Sequence, residues 1–291
     1  MISKLQNGII AHATKTAKNT CEIIAITSGK GGVGKTTVSV NQAIDLSKLH
    51  KKVLLIDADL HLGNADLLLG LRAGYTIADV VKNNIPLSEA IVATENRIDL
   101  LPASMASLDL IESEDEVLRK LANAFKSFEH TYDYIIIDTG AGIAMNVLSF
   151  LLGADKISVI ITPDPASITD AYAVIKVVKS VDKQIPVFLT ANMVNHPEEG
   201  EVLYKKMNLM AHKFLNSHVL FGGAIVRDDL IARSVKEQRP FISAHPNSAA
   251  ANAIRAMNRR LLQTSGINPL AENNLFERVI QTKKTAIEWN H

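Results

Sequence analysis

At 291 residues with 47% hydrophobic content, the chain can bury a large core, either as one α/β domain or as two small ones. Lys and Arg number 31 against 30 Asp and Glu; the net charge of +1 excludes a global field toward DNA or anionic lipid, so such binding would need a local patch. The lone Cys21 excludes an internal disulfide and cannot supply an iron–sulfur cluster with its several thiolates, which fits a reducing cytoplasm.

Residues 1–20 are polar and lack the apolar core of a secretion signal, and no apolar run reaches about 18 residues. The expectation is a polar N-terminal extension on a protein that is neither exported nor membrane-spanning. An apolar run from Glu22 then leads into Gly29-Lys30-Gly31-Gly32-Val33-Gly34-Lys35-Thr36-Thr37. Strand, glycine loop and helix in that order make a phosphate-binding P-loop. Gly29, Gly31, Gly32 and Gly34 lack a Cβ, so the chain can curl and turn successive backbone N–H groups on one anion. The helix starting near Lys35 adds its positive N-terminal end. Lys35 is placed to reach the β and γ phosphates, and the Thr36 hydroxyl to complete a Mg²⁺ site. The alternative is a glycine-rich turn that holds no ligand.

Beyond the loop, Val38 to Leu49 reads as helix and Val53 to Asp57 as a strand ending in Asp57-Ala58-Asp59. Ile98 to Leu101 is the next apolar run, followed by a helical stretch from Glu114 to Phe128. Tyr134 to Asp138 reads as a strand feeding Thr139-Gly140-Ala141-Gly142. Asp138 suits Mg²⁺ held through its water shell, since that ion gives up water reluctantly, and Gly142 would let a backbone N–H approach the γ-phosphate. Ile157 to Thr162, Val187 to Ala191 and Val219 to Val226 are further strands, with helices over Ile168 to Val181, Glu198 to Leu215, Asp229 to Glu237 and Asn247 to Leu262. Most of the strands do not alternate polar with apolar, so they are covered on both faces. Strand and helix in alternation predict an α/β fold: a doubly wound, mostly parallel sheet with right-handed crossovers. Ligands collect at the carboxyl ends of such strands, where Asp57, Asp59 and Asp138 stand; each could instead be a cap or turn residue.

The economical parse is a P-loop domain over 21–263 and a tail over 264–291. Leu275, Phe276, Val279 and Ile280 share one helical face there, flanked by Arg278, Lys283 and Lys284. Such a basic amphipathic helix can lie in a membrane interface or pack on its own domain.

Lys30 beside the loop makes Lys-Gly-Gly-Val-Gly-Lys-Thr-Thr, which resembles the deviant Walker A motif of the MinD/ParA family of dimerising ATPases. The resemblance implies a P-loop NTPase fold, ATP and Mg²⁺ as ligands, and a homodimer in which Lys30 crosses to the partner subunit's nucleotide. It implies that Asp59 orients and partly deprotonates the attacking water while Asp57 supports the metal shell and switch. It also implies that Asn192 and Asp228 meet the adenine, although each could be a turn or cap residue. The chain departs from the family pattern at Gly140 and Val226, both usually proline. Asp59 to Leu71, Pro165 to Ala173, Ala191-Asn192-Met193 and the tail are similar to the family's flagellar-number regulators, the FlhG and FleN group.

That group implies slow, regulatory ATP hydrolysis and work with the SRP-like GTPase FlhF, a flagellar transcription activator or flagellar switch proteins. It also implies peripheral inner-membrane attachment at a cell pole in the ATP state. Members that stimulate the GTPase carry an Asp-Gln-Ala-Xaa-Xaa-Leu-Arg type segment, whereas residues 1–20 offer only Leu5-Gln6-Asn7-Gly8-Ile9. Cell-division or DNA-partition positioning is the alternative within the family. A metabolic ATP-dependent ligase or reductase would need a substrate domain or cluster cysteines that the sequence does not display.

Overall fold

The computed structural model describes residues 21–59, 63–102, 114–128, 131–265 and 273–289. The N-terminal extension and Leu60 to Leu62 of the expected switch stretch lie outside them. Strand β1 (Glu22–Ser28) leads through the glycine loop into α1 (Lys35–Ser47), then β2 (Val53–Ala58), α2 (Ala65–Leu68), α3 (Ile77–Asn83) and α4 (Leu87–Ala90). There follow β3 (Val92–Ala93), β4 (Asp99–Leu101), α5 (Glu114–Phe125) with one 3₁₀ turn, β5 (Tyr134–Ala141), α6 (Met145–Gly153), β6 (Lys156–Ile161) and α7 (Pro165–Val181). The chain continues with β7 (Val187–Val194), α8 (Pro197–Leu215), β8 (Leu220–Val226), α9 (Asp229–Lys236), α10 (Phe241–Ala244), α11 (Ala249–Leu262) and α12 (Leu275–Trp289).

The eight strands form one sheet in the order β3-β4-β2-β5-β1-β6-β7-β8, every pair parallel except β3 with β4. Along β1, Ile23 and Ala25 enter one apolar layer while Ile24 and Ile26 enter the other. That two-sided burial is why the strands read as continuous apolar runs. Helices α1, α10 and α11 cover one face; α5 to α8 and α12 cover the other. The sheet's order reverses between β5, β1 and β6, which puts the glycine loop at the switch point where open α/β sheets take their ligands.

Of the two places open to the tail, the structure shows it packed on the domain. Leu275, Phe276 and Val279 are fully buried and Ile280 packs against the same core, so this face is turned to the domain. The physical reason is the apolar groove between α5 and α6. Phe276 sits edge-on to both Phe125 (5.4 Å between centroids) and Phe150 (6.5 Å). Arg278, which flanks that face, spends its charge on buried Asp155 at 3.0 Å, whose other oxygen accepts the Ile23 N–H. Asn274 donates to the Ala122 carbonyl and Thr282 lies 3.2 Å from that of Ser149.

Candidate functional site

The P-loop owes its path to glycines at two places. Gly34 (φ +91°) caps α1 from the left-handed region, and a Cβ there would meet Asn192 Nδ2 at 2.5 Å. A Cβ on Gly29 would collide with the Asp170 backbone, so the loop's first turn lies directly on α7. Lys35 is the first residue of α1 and is nearly buried; Thr36 and Thr37 follow it at the helix N-terminus. These residues stand together as a phosphate cradle would require.

Two carboxylates face one another across adjacent strands, since Asp57 of β2 pairs in register with Asp138 of β5. Asp138 is 1% exposed; its Oδ1 lies 2.9 Å from the Ser39 hydroxyl, while its Oδ2 has no hydrogen-bond partner among the described residues. Burial, and next the charge of Asp57, push this carboxyl up to about 7, against the lowering effect of Thr36, Ser39 and Lys35. An orphaned buried carboxylate oxygen beside the Thr36 hydroxyl fits a hard cation. Mg²⁺ takes one or two carboxylates from a protein and fills the rest of its shell with phosphate oxygens and water, which suits a single carboxylate beside a hydroxyl.

Asp57 holds the loop that follows β2. Its Oδ1 accepts the Asp59 N–H (3.1 Å) and its Oδ2 those of Asn64 (2.9 Å) and Ala65 (3.0 Å). The amides that open α2 need an acceptor, and Asp57 supplies it, clamping both ends of the loop after β2. Burial pushes its carboxyl up to about 6, while the three N–H groups pull it down. Asp59 is partly exposed and leans toward the end of β5, its Oδ1 3.9 Å from where a Gly140 Cβ would stand. Gly142 (φ +94°) donates its N–H to the Ser28 carbonyl at 2.8 Å, which closes the loop onto β1.

Lys30 points out of its own loop to Asp164 at the head of α7, Nζ to Oδ2 2.8 Å, both side chains nearly half exposed. Asp164 also caps α7 through the N–H groups of Ala166 and Ser167. A cavity of about 300 Å³ opens here, lined by Lys30, Gly31, Gly32, Asp164, Asn195 and Arg227 among others.

Asn192 and Asp228 line a second cavity, about 450 Å³, whose apolar walls are Met193, Ile225, Ile231 and Phe241, with Gly34 and Thr37 at its edge. Their polar ends are partly committed. Asn192 Nδ2 donates to the Val33 carbonyl at 2.8 Å and its Oδ1 accepts the Met193 N–H, so this side chain buttresses the P-loop. Asp228 accepts the Leu230 N–H at 2.9 Å as the cap of α9, the other role its position allowed. The sequence reading missed Ser39, Asp164 and the wall residues Ile231 and Phe241. Ser39 carried a signal, one helical turn after Thr36; the wall did not, because α9 and α10 reach the loop only through tertiary packing. Among the described residues no helix is long and apolar enough to cross a membrane.

A family model described as an AAA domain matches residues 21–191. The antiactivator FleN of Pseudomonas aeruginosa is 35% identical over 91% of this chain and 95% of its own length. The flagellum site-determining protein YlxH of Helicobacter pylori is 37% identical over 81% of this chain and 80% of its own. The structure of the septum site-determining protein MinD from Pyrococcus horikoshii, complexed with Mg-ADP, superposes with a TM-score of 0.68 at 27% identity, covering 84% of this chain and 96% of that one.

Proposed function

Because the chain belongs to the MinD/ParA family of P-loop ATPases, grouped with FleN and YlxH, we propose that it is an ATP-dependent dimerising switch that regulates flagellar number or placement. The observation that carries the reading is the pairing of a P-loop at the head of α1 with the unpartnered Oδ2 of Asp138. Likeness to two flagellar proteins over 91% and 81% of the chain supports the client.

In this proposal the backbone from Gly29 to Thr37 and the Lys35 ammonium bind the phosphates, while Thr36 and Asp138 hold Mg²⁺. Bound Mg²⁺ would offset negative charge on the β and γ oxygens. Asp59 orients the water and draws its proton; Asp57 keeps the loop carrying Asp59 in place. Lys30 leaves Asp164 to reach the nucleotide of a second copy, so ATP joins two subunits and slow hydrolysis parts them. Asn192 and Asp228, with the apolar wall around them, enclose the base. The P-loop unit spans 21–263, the extension and tail lie on either side of it, and the protein works in the cytoplasm. FlhF, a flagellar transcription activator and flagellar switch proteins are its candidate partners.

Division-site or DNA-partition positioning is the second reading, favoured by the likeness to MinD. Deleting the gene and counting flagella, minicells and DNA-free cells in the same fields separates the two. Extra or misplaced flagella support the first reading; minicells or DNA-free cells with normal flagella overturn it in favour of the second.

A further inference from the structure

Helix α1 turns two hydroxyls toward β5, Thr36 and, three residues on, Ser39. Side chains at that spacing share a face, so both meet Asp138. Ser39 is completely buried, and its single proton has two acceptors within reach: the Lys35 carbonyl one turn back at 3.0 Å and Asp138 Oδ1 at 2.9 Å. An ionised carboxylate outcompetes a carbonyl for such a proton. The consequence is asymmetric: Oδ1 is occupied, and Oδ2 is left buried without a partner.

We infer that Ser39 is a positioning residue for the metal: by holding Oδ1 of Asp138 it aims Oδ2 at the Mg²⁺ site beside Thr36 and keeps the ionised carboxylate tolerable in the core. The inference rests on the reading of Thr36 and Asp138 as the Mg²⁺ holders. Without the Ser39 hydroxyl, Oδ1 would lose the donor that holds it, and the side chain could rotate away from the cation. The phosphate cradle keeps its donors, since Ser39 lies beyond the Gly29 to Thr37 segment that forms it. The effect therefore falls on metal affinity and spares the nucleotide bound without metal.

The test uses the full chain with a fluorescent ADP analogue, titrated first in EDTA and then with MgCl₂. Ser39→Ala should raise the Mg²⁺ concentration for half-maximal effect about 10-fold, the loss typical of a missing outer partner to a metal ligand, while affinity in EDTA stays within about twofold of wild type. Ser39→Cys, close in size but a weak donor, should shift the same way and decides the matter if the alanine variant does not fold. An unchanged Mg²⁺ requirement in the folded variants, or an equal loss of affinity in EDTA, overturns the assignment. A wild-type protein that binds the analogue with no response to Mg²⁺ would sink the metal reading itself, and the role of Ser39 with it.

Discussion

Lys30 Nζ lies 2.8 Å from Asp164 Oδ2, so the lysine inside the P-loop is held by the head of α7 on its own chain and not by the loop it belongs to. The bridge raises the Lys30 pKa and lowers that of Asp164, chiefly through the hydrogen bond between them. A lysine needed by a second copy must leave this partner first.

Asp164→Asn tests that competition, because asparagine still caps α7 but removes the charge. With ATP and Mg²⁺ the variant should dimerise at about two- to fivefold lower protein concentration, the modest shift an exposed ion pair allows. Light scattering across a dilution series reads it; weaker dimerisation would mean that Asp164 serves the dimer and not the monomer.

Lys35→Ala should abolish nucleotide binding. Asp59→Ala should bind ATP normally, hydrolyse it at least about 100-fold more slowly and remain dimeric, as expected when a group that handles the attacking water is removed. Phosphate release and equilibrium binding measure both. Fast turnover in Asp59→Ala would remove Asp59 from the reaction.

The P-loop and the central strands were legible in the residues because their physics is local. Glycine spacing makes the loop, and burial on both faces makes runs such as Tyr134 to Ile137 continuously apolar. The helix Met145–Gly153 was not, since its nine residues are nearly all apolar and carry little helical periodicity. The clamp made by Asp57 was not legible either: the amides that engage it belong to Asn64 and Ala65, across a loop whose path no spacing predicts. The amphipathic face of the tail could be read from Leu275 to Ile280, but what covers it depends on the groove between α5 and α6.

Phe276→Ala therefore becomes a stability experiment. Truncating this wholly buried ring should cost about 3–5 kcal/mol and lower Tm by on the order of 10 °C in thermal unfolding. If the tail were a detachable membrane anchor, the variant would keep its Tm and lose liposome pelleting in ATP with Mg²⁺.

The pH dependence of stability follows from the two facing carboxyls. Asp57 and Asp138 have folded pKa values of about 6 and about 7, raised from 3.8. Each folded state holds its proton more tightly than the unfolded chain, so their stability contribution is fully present below 3.8 and is lost as pH rises through those values. Without nucleotide or metal, Tm should fall from about pH 4 to about pH 7, and the slope should flatten in Asp138→Asn. The Mg²⁺ requirement for nucleotide binding should move the other way, easing as Asp138 ionises.

The central claim is that ATP joins two copies of this chain. Equilibrium sedimentation of the wild-type protein with Mg-ATP and with Mg-ADP tests it directly. The account predicts the mass of a dimer in ATP and of a 31.7 kDa monomer in ADP. The same mass in both nucleotides would contradict it.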